Sequence, residues 1–346
     1  MLTIQENISL LPYNTLRIEA KARYFVEIDS LEALQEFFAH PLSNEKLFIL
    51  GGGSNTLFTK DFEGLVLKIS LKGIQELSDF SVPWKVFLKV QAGEERDHFV
   101  EYCCKKGYAG IENLAGIPGQ VGTSPVSNIG AYGMEVQNSI FSVEGYDLIK
   151  KEFKTFSHEE CQFEYRGSIF KNHLKSHFLV TAVTFALQQN TESYEYNLNY
   201  PDLQKYLEEK KIQKSDLTLS FVSEMIRTIR NHKLPNPDEI GTAGSFFANP
   251  MIDRSDLSSL LEKFPELKYY PCENEEKIKL SAGQLIDLTG MKGFQLGNAG
   301  VSSKHALVLI HEQGDAEDLL KVAQLVQEAV LKKFGVSLHP EVVYVE

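Results

Sequence analysis

Between Gly107 and Gly133 the chain reads GYAGIENLAGIPGQVGTSPVSNIGAYG, seven glycines in 27 residues with a single charged side chain, Glu112. Glycine serves where φ must be positive or where another group must come close to the backbone. A flexible linker would be polar and rich in serine. This stretch instead carries Ile111, Leu114, Ile117, Val121, Val126, Ile129 and Tyr132, and is expected to be packed and ordered. Packed glycines beside Ser124, Ser127 and Asn128 point to main-chain N–H groups held around a large polar ligand that bears phosphate. A tightly turned, buried loop without a ligand is the alternative.

A second glycine turn lies upstream. The short apolar run 47–50 leads straight into Gly51, Gly52, Gly53, Ser54, Asn55 and Thr56. Strand, glycine turn and small polar residues together present N–H groups to phosphate. No Lys-Ser/Thr pair follows at P-loop spacing, and no G-x-G-x-x-G opens a helix as in a dinucleotide fingerprint.

Composition sets outer limits. At 346 residues the chain is long for one core and predicts two or three domains. A net charge of −12 argues against bulk binding of nucleic acid or anionic membranes, so a polyanionic ligand would need a local basic pocket. Cys103, Cys104, Cys161 and Cys272 show no zinc spacing and read as reduced thiols; no metal site is expected. The first twenty residues lack a basic region followed by an apolar core, and no apolar run reaches membrane-spanning length. A cytoplasmic, soluble protein is expected.

Along the chain, strands are predicted over 24–28, 47–50, 65–69, 84–91 and 178–187, with a hairpin over 141–146 and 152–156. Helices are predicted over 31–39, capped by Asp29 and Ser30, and over 96–106, ended by Gly107. Arg166 lies between aromatics in CQFEYRGSIFK, where an arginine covers apolar surface with its stem or grips a carboxylate with its fork. Composition shifts after Gln189, the expected domain boundary. Helices follow over 203–214 and 219–230, the second closing on Arg227, Arg230, His232 and Lys233, which complement the helix dipole or bind anions. Ser245 sits in GTAGSFFANP without local charge. The remainder reads as α+β: helices over 282–289 and 315–334, and a terminal strand over 337–345 carrying Glu341.

Taken together and in order, these segments resemble the UDP-N-acetylenolpyruvoylglucosamine reductases over nearly the whole chain. The matching pieces are Asn14-Thr15-Leu16, Gly51 to Asn55, Gly116-Ile117-Pro118-Gly119 with Gly122, and Asn128 to Gly133. Tyr165-Arg166 with Ser168, Phe170 and Lys171 follow, then Lys233-Leu234-Pro235, Gly244 to Phe247 with Asn249-Pro250, and Pro340-Glu341-Val342. The segment opening at Tyr200 is similar to the loop of the longer family form, which carries a substrate-covering tyrosine. Ala248 stands where the family commonly has a basic residue.

The resemblance implies an α+β fold, with a two-lobed FAD-binding region of the vanillyl-alcohol-oxidase type and a substrate-binding α+β domain. The lobes are placed at about 1–75 and 76–189, and the second domain at 190–346, its terminal strand returning toward the flavin. The implied reaction is NADPH-dependent reduction of the enolpyruvyl ether of UDP-N-acetylglucosamine to UDP-N-acetylmuramate, with non-covalent FAD and NADPH as co-substrate. It assigns catalysis to Arg166, Ser245 and Glu341. FAD contacts are assigned to Gly51, Gly52, Gly53, Ser54, Asn55, Thr56, Ile117, Pro118, Gly119, Gly122, Thr123, Ser124, Asn128, Gly130 and Arg230. Tyr200, Lys233, Asn249 and Gln295 are assigned to the UDP-sugar, and a monomer without nucleic-acid partners is implied. Two other readings share parts of this pattern: a different flavoenzyme of the same fold, and a nucleotide-sugar-binding protein without catalysis.

Overall fold

A computed structural model describes residues 2–78, 82, 84–189, 194–272 and 274–346. The chain forms two units, the first from residues 2–7, Arg23–Gly52 and Glu63–Arg230, the second from Ile8–Ala22, Gly53–Phe62 and Asn231–Glu346.

The first unit is organised by two sheets. One has the strand order Ile4–Ser9, Lys21–Ile28, Phe62–Ile69, Leu47–Leu50, with the last two parallel. Ser30 caps the intervening helix Leu31–Ala39, its hydroxyl accepting from Ala33 N at 3.1 Å. The other sheet is antiparallel, in the order Glu152–Ser157, Ile140–Asp147, Phe178–Gln189, Lys85–Gln91, Ile74–Leu77. Its middle strand begins FLVTAVTF, eight buried residues in a row. Such a run belongs to a strand covered on both faces rather than to a half-solvated one. Phe185 on this strand meets Phe99 of helix Arg96–Lys106 at 4.8 Å between ring centroids. That helix ends as the sequence predicts, on Gly107 in the left-handed region (φ 77°), with Lys105 and Lys106 facing the dipole's negative end.

The boundary expected after Gln189 falls inside this unit, and residues 190–193 lie outside the described residues. The reason is apolar burial. Leu203 of helix Pro201–Lys210 and Leu219, Val222, Met225, Ile226 and Ile229 of helix Leu219–Lys233 join the same buried cluster as Phe99 and Phe185. The first of these helices stops at Lys210, short of the predicted 214, because Lys211 turns into the left-handed region.

In the second unit a sheet runs Gly241–Ser245, Val308–His311, Ala299–Val301, Gln295–Leu296, backed by helix Glu317–Phe334 with Leu319, Val322, Val326 and Val330 buried. A smaller sheet of Met251–Asp253, Lys277–Leu280 and Tyr269–Pro271, with helix Arg254–Lys263, has too little apolar periodicity to be foreseen. The terminal strand is shorter than predicted. Pro340 carries no N–H for a ladder, and regular pairing begins only at Val343–Val345, parallel to Thr56–Phe58.

Candidate functional site

In the first unit the two glycine turns touch. A Cβ on Gly52 would lie 2.8 Å from Gly119 Cα and 3.4 Å from Gln120 N, so no side chain fits between them. On Gly122 a Cβ would meet that of Ala92 at 2.5 Å. These glycines are therefore required by close backbone approach, one of the two uses expected of them.

The turn over 118–124 is held by a residue the sequence reading did not single out. Arg96 is buried, 5 % exposed, and donates through Nη1 to Pro118 O at 2.7 Å and through Nε to Ser124 Oγ at 2.9 Å. Its Nη2 reaches Gln120 O at 3.0 Å and Thr123 Oγ1 at 2.8 Å. Backbone bonds from Arg96 N to Gly119 O, Val121 N to Glu94 O and Gly122 N to Ala92 O complete the seam. The Ser124 and Thr123 side chains assigned to a cofactor are thus engaged by Arg96. Gln120 Oε1 is buried with no hydrogen-bond partner among the described residues. Such an atom needs an external donor to escape the desolvation penalty.

Helix Leu219–Lys233 docks on the same loops through its basic residues. Arg230 Nε donates to Gly116 O at 3.0 Å, while Asp97 accepts Gly116 N at 2.7 Å. Arg227 is taken up by Asp97, with Nε–Oδ2 and Nη2–Oδ1 both 3.0 Å. Of the basic run read as complementing the helix dipole or binding anions, Arg227 is engaged by Asp97. Lys233 is exposed at the end of the helix.

Arg166 takes a left-handed backbone (φ 55°), as do Asn128 (41°) and Tyr132 (49°). Three non-glycine residues of this kind in one neighbourhood are strain of the sort that collects at functional sites. Arg166 Nη2 donates to Gly130 O at 2.9 Å and its guanidinium lies 5.2 Å from the Tyr165 ring. The Asn128 side chain is fully buried, donating to Glu135 Oε2 (2.8 Å) and Glu164 O (3.0 Å). These bonds brace the Arg166 loop. Tyr200, exposed at 42 %, meets the Tyr132 ring edge-on at 5.1 Å. Burial pushes the Tyr132 phenol up to about 12. The segment leading to Tyr200 is tied down by pairs the sequence did not announce. Glu112 accepts from Tyr194 Oη, Asn113 Nδ2 donates to Asn197 O (2.7 Å), and Asn197 Nδ2 donates to Gly133 O (2.9 Å).

In the second unit Ser245 and Glu341 come onto neighbouring chains. Glu341 N donates to Phe246 O at 2.8 Å, Ala248 N to His339 O at 3.0 Å, and Phe247 bridges Pro340. Phe246 and Phe247 are buried, whereas Ser245 is exposed. The register against Val308–His311 shifts between Thr242 and Ser245, and Gly244 there has φ 70°. A bulge closed by left-handed glycine re-aims the next side chain. The Ser245 hydroxyl makes no hydrogen bond among the described residues. Asn55 Nδ2 donates to Glu341 O at 3.1 Å, and Asn55 O accepts from Val343 N at 3.0 Å. Asn55 is therefore a brace for the Glu341 segment. Asn249 Oδ1 accepts from Ala282 N at 3.0 Å, anchoring helix Ala282–Leu288, and Gln295 is exposed. No group of His, Cys, Asp and Glu suited to a metal occurs among the described residues.

The chain matches two family models. Residues 22–152 match an FAD binding domain, and residues 236–345 match the UDP-N-acetylenolpyruvoylglucosamine reductase C-terminal domain. It is 42 % identical over 343 residues to the UDP-N-acetylenolpyruvoylglucosamine reductase of Flavobacterium johnsoniae, covering 98 % of each chain. Identity to the enzyme of that name from Chromobacterium violaceum is 40 %, again over 98 % of each. The crystal structure of the Thermus caldophilus reductase superposes with a TM-score of 0.68 at 21 % identity, both chains fully covered, which establishes the fold.

Proposed function

Because the chain belongs to the UDP-N-acetylenolpyruvoylglucosamine reductase family, we propose that its residues carry out NADPH-dependent reduction of the enolpyruvyl ether of UDP-N-acetylglucosamine to UDP-N-acetylmuramate. It is an FAD-dependent oxidoreductase of peptidoglycan precursor synthesis. The loops fit that cofactor on three counts. Two glycine turns meet with no room for side chains, Arg96 is a buried cation without an ion pair among the described residues, and Gln120 Oε1 is a buried acceptor lacking a donor. Gly51, Gly52, Gly119 and Gln120 would hold FAD, with Arg96 and Arg230 supplying positive charge. When bound, FAD supplies the hydride chemistry.

The remaining roles are those of the chain's own side chains. Reducing an enol ether conjugated to a carboxylate develops enolate charge, and one carbon then needs a proton. Arg166 grips the substrate carboxylate, a task for which a planar fork suits better than an ammonium. Glu341, in its protonated form, donates a hydrogen bond to the developing charge, since a bare carboxylate would repel it. Ser245 delivers the proton. With no protein group on its hydroxyl among the described residues, its proton must be replenished through substrate or water. Lys233, Asn249 and Gln295 bind the UDP-sugar, Tyr200 covers it, and the protein acts in the cytoplasm as a monomer.

The observation that carries this reading is the pairing of the Ser245 strand with the Glu341 segment, which neither a flavin oxidase nor a passive sugar-nucleotide binder requires. The test is product analysis: purified protein with NADPH and the enolpyruvyl substrate should yield UDP-N-acetylmuramate, one per NADPH oxidised. NADPH consumption that forms peroxide and no lactyl ether would refute it.

A further inference from the structure

Arg96 stands in a position that ordinary helix chemistry disfavours. It is the first residue of helix Arg96–Lys106, where the dipole repels a cation, and it is almost fully buried. Buried charges are normally paired. Arg96 forms no ion pair among the described residues, and the charge that acts on it is another guanidinium, Arg230. Burial, with Arg230 alongside, brings its pKa down to about 10, which still leaves it charged at neutral pH.

All four of its side-chain acceptors, Pro118 O, Gln120 O, Thr123 Oγ1 and Ser124 Oγ, belong to one seven-residue turn. Drawing the 118 and 120 carbonyls toward Arg96 removes negative dipole ends from the opposite side of that turn. That side is where Gly52 packs, and Gln120 N lies 3.4 Å from the position of a Gly52 Cβ. A neutral glutamine or threonine could tie a turn at less cost in desolvation. The retention of a full charge calls for an anion that the protein does not supply.

We propose that Arg96 is a positioning residue that holds and charges the 118–124 turn as a seat for the phosphates of the flavin, its counter-ion being the ligand itself. This rests on the reading that the chain binds FAD. It separates Arg96 from a plain structural staple, because a staple is needed equally with and without ligand, whereas an unpaired cation is a burden until the anion arrives.

The test uses full-length protein stripped of flavin. Arg96→Gln should bind FAD about tenfold or more weakly, the loss expected for one charge-assisted interaction, while riboflavin, which has no phosphate, binds as to wild type. Arg96→Lys should recover part of the FAD affinity. Flavin should raise the Tm of Arg96→Gln by clearly less than it raises that of wild type, whatever the turn itself loses in the flavin-free protein. Inorganic pyrophosphate should raise the Tm of flavin-free wild type and leave that of Arg96→Gln unmoved. Unchanged FAD affinity in Arg96→Gln would overturn the proposal, and so would equal loss of FAD and riboflavin. If Arg96→Gln fails to fold, absence of a pyrophosphate effect on wild type overturns it alone. Wild-type protein that takes up no FAD refutes instead the reading on which the proposal rests.

Discussion

Glu341 donates its backbone N–H to Phe246 O at 2.8 Å and accepts Asn55 Nδ2 on its own carbonyl at 3.1 Å. Bonds on both sides of one residue fix the terminal segment beside the strand that presents Ser245. Asn55→Ala removes one of them and should cost about 0.5–1.5 kcal/mol of stability. Because the Glu341 segment loosens, kcat should fall more than KM rises. Wild-type melting and turnover in this variant would show that the bond does not hold Glu341.

Two glycine substitutions separate close approach from backbone conformation. Gly52→Ala drives a methyl to 2.8 Å from Gly119 Cα, a backbone atom with nowhere to move. Overpacking of this kind costs about 1–3 kcal/mol, and the protein should purify with substoichiometric flavin. Gly107→Ala meets nothing within 4 Å but must hold φ 77°. It should cost about 1–2 kcal/mol and keep a full complement of flavin. The ratio of flavin to protein absorbance, with melting curves, checks both.

The thiols should be silent in the folded protein. Cys103, Cys104 and Cys161 are buried, and Cys272 is partly exposed. Burial raises the Cys103 thiol, pushes Cys104 up to about 11 and pushes Cys161 up to about 12. A thiol reagent at pH 8 should titrate Cys272 quickly and the other three only on unfolding. The raised values also set an alkaline limit. The native state holds these protons more tightly than the unfolded chain, so their contribution to stability is complete below the unfolded pKa near 9. It is lost as pH climbs through about 11 to 12. Stability independent of pH from 8 to 11 would contradict this.

Much of the fold was legible in the sequence, and the exceptions have physical causes. Gly107 as a helix stop, the Ser30 cap and the touching glycine turns follow from local rules about φ and backbone approach. Arg96 left one overlooked signal, a cation in the first turn of a helix, where the dipole favours an anion. The Asn113–Asn197 and Asn55–Glu341 pairs left none, since amides that tie distant loops look like any polar loop residue. The expected break after Gln189 was a shift in surface composition, but Leu203, Val222 and Ile226 bury with the preceding core, and apolar burial decides.

Lys233 should act on binding. A lysine meets phosphate as a point charge, and loss of one charged hydrogen bond is worth about 1.5–3 kcal/mol. Lys233→Ala should raise KM for the UDP-sugar about tenfold to a hundredfold, with a much smaller change in kcat. A fall in kcat at unchanged KM would move Lys233 from binding into chemistry.

The central claim, that Ser245 supplies the proton to the reduced substrate carbon, is tested most directly by single-turnover kinetics of Ser245→Ala. NADPH oxidation by the loaded enzyme in the absence of enolpyruvyl substrate needs no proton from residue 245 and should proceed near the wild-type rate. Formation of UDP-N-acetylmuramate by enzyme already reduced should slow by about 10²–10⁴-fold, the usual loss for a positioned general acid, and saturating substrate should not restore it. Product formation at the wild-type rate, or equal slowing of both halves, would contradict the account.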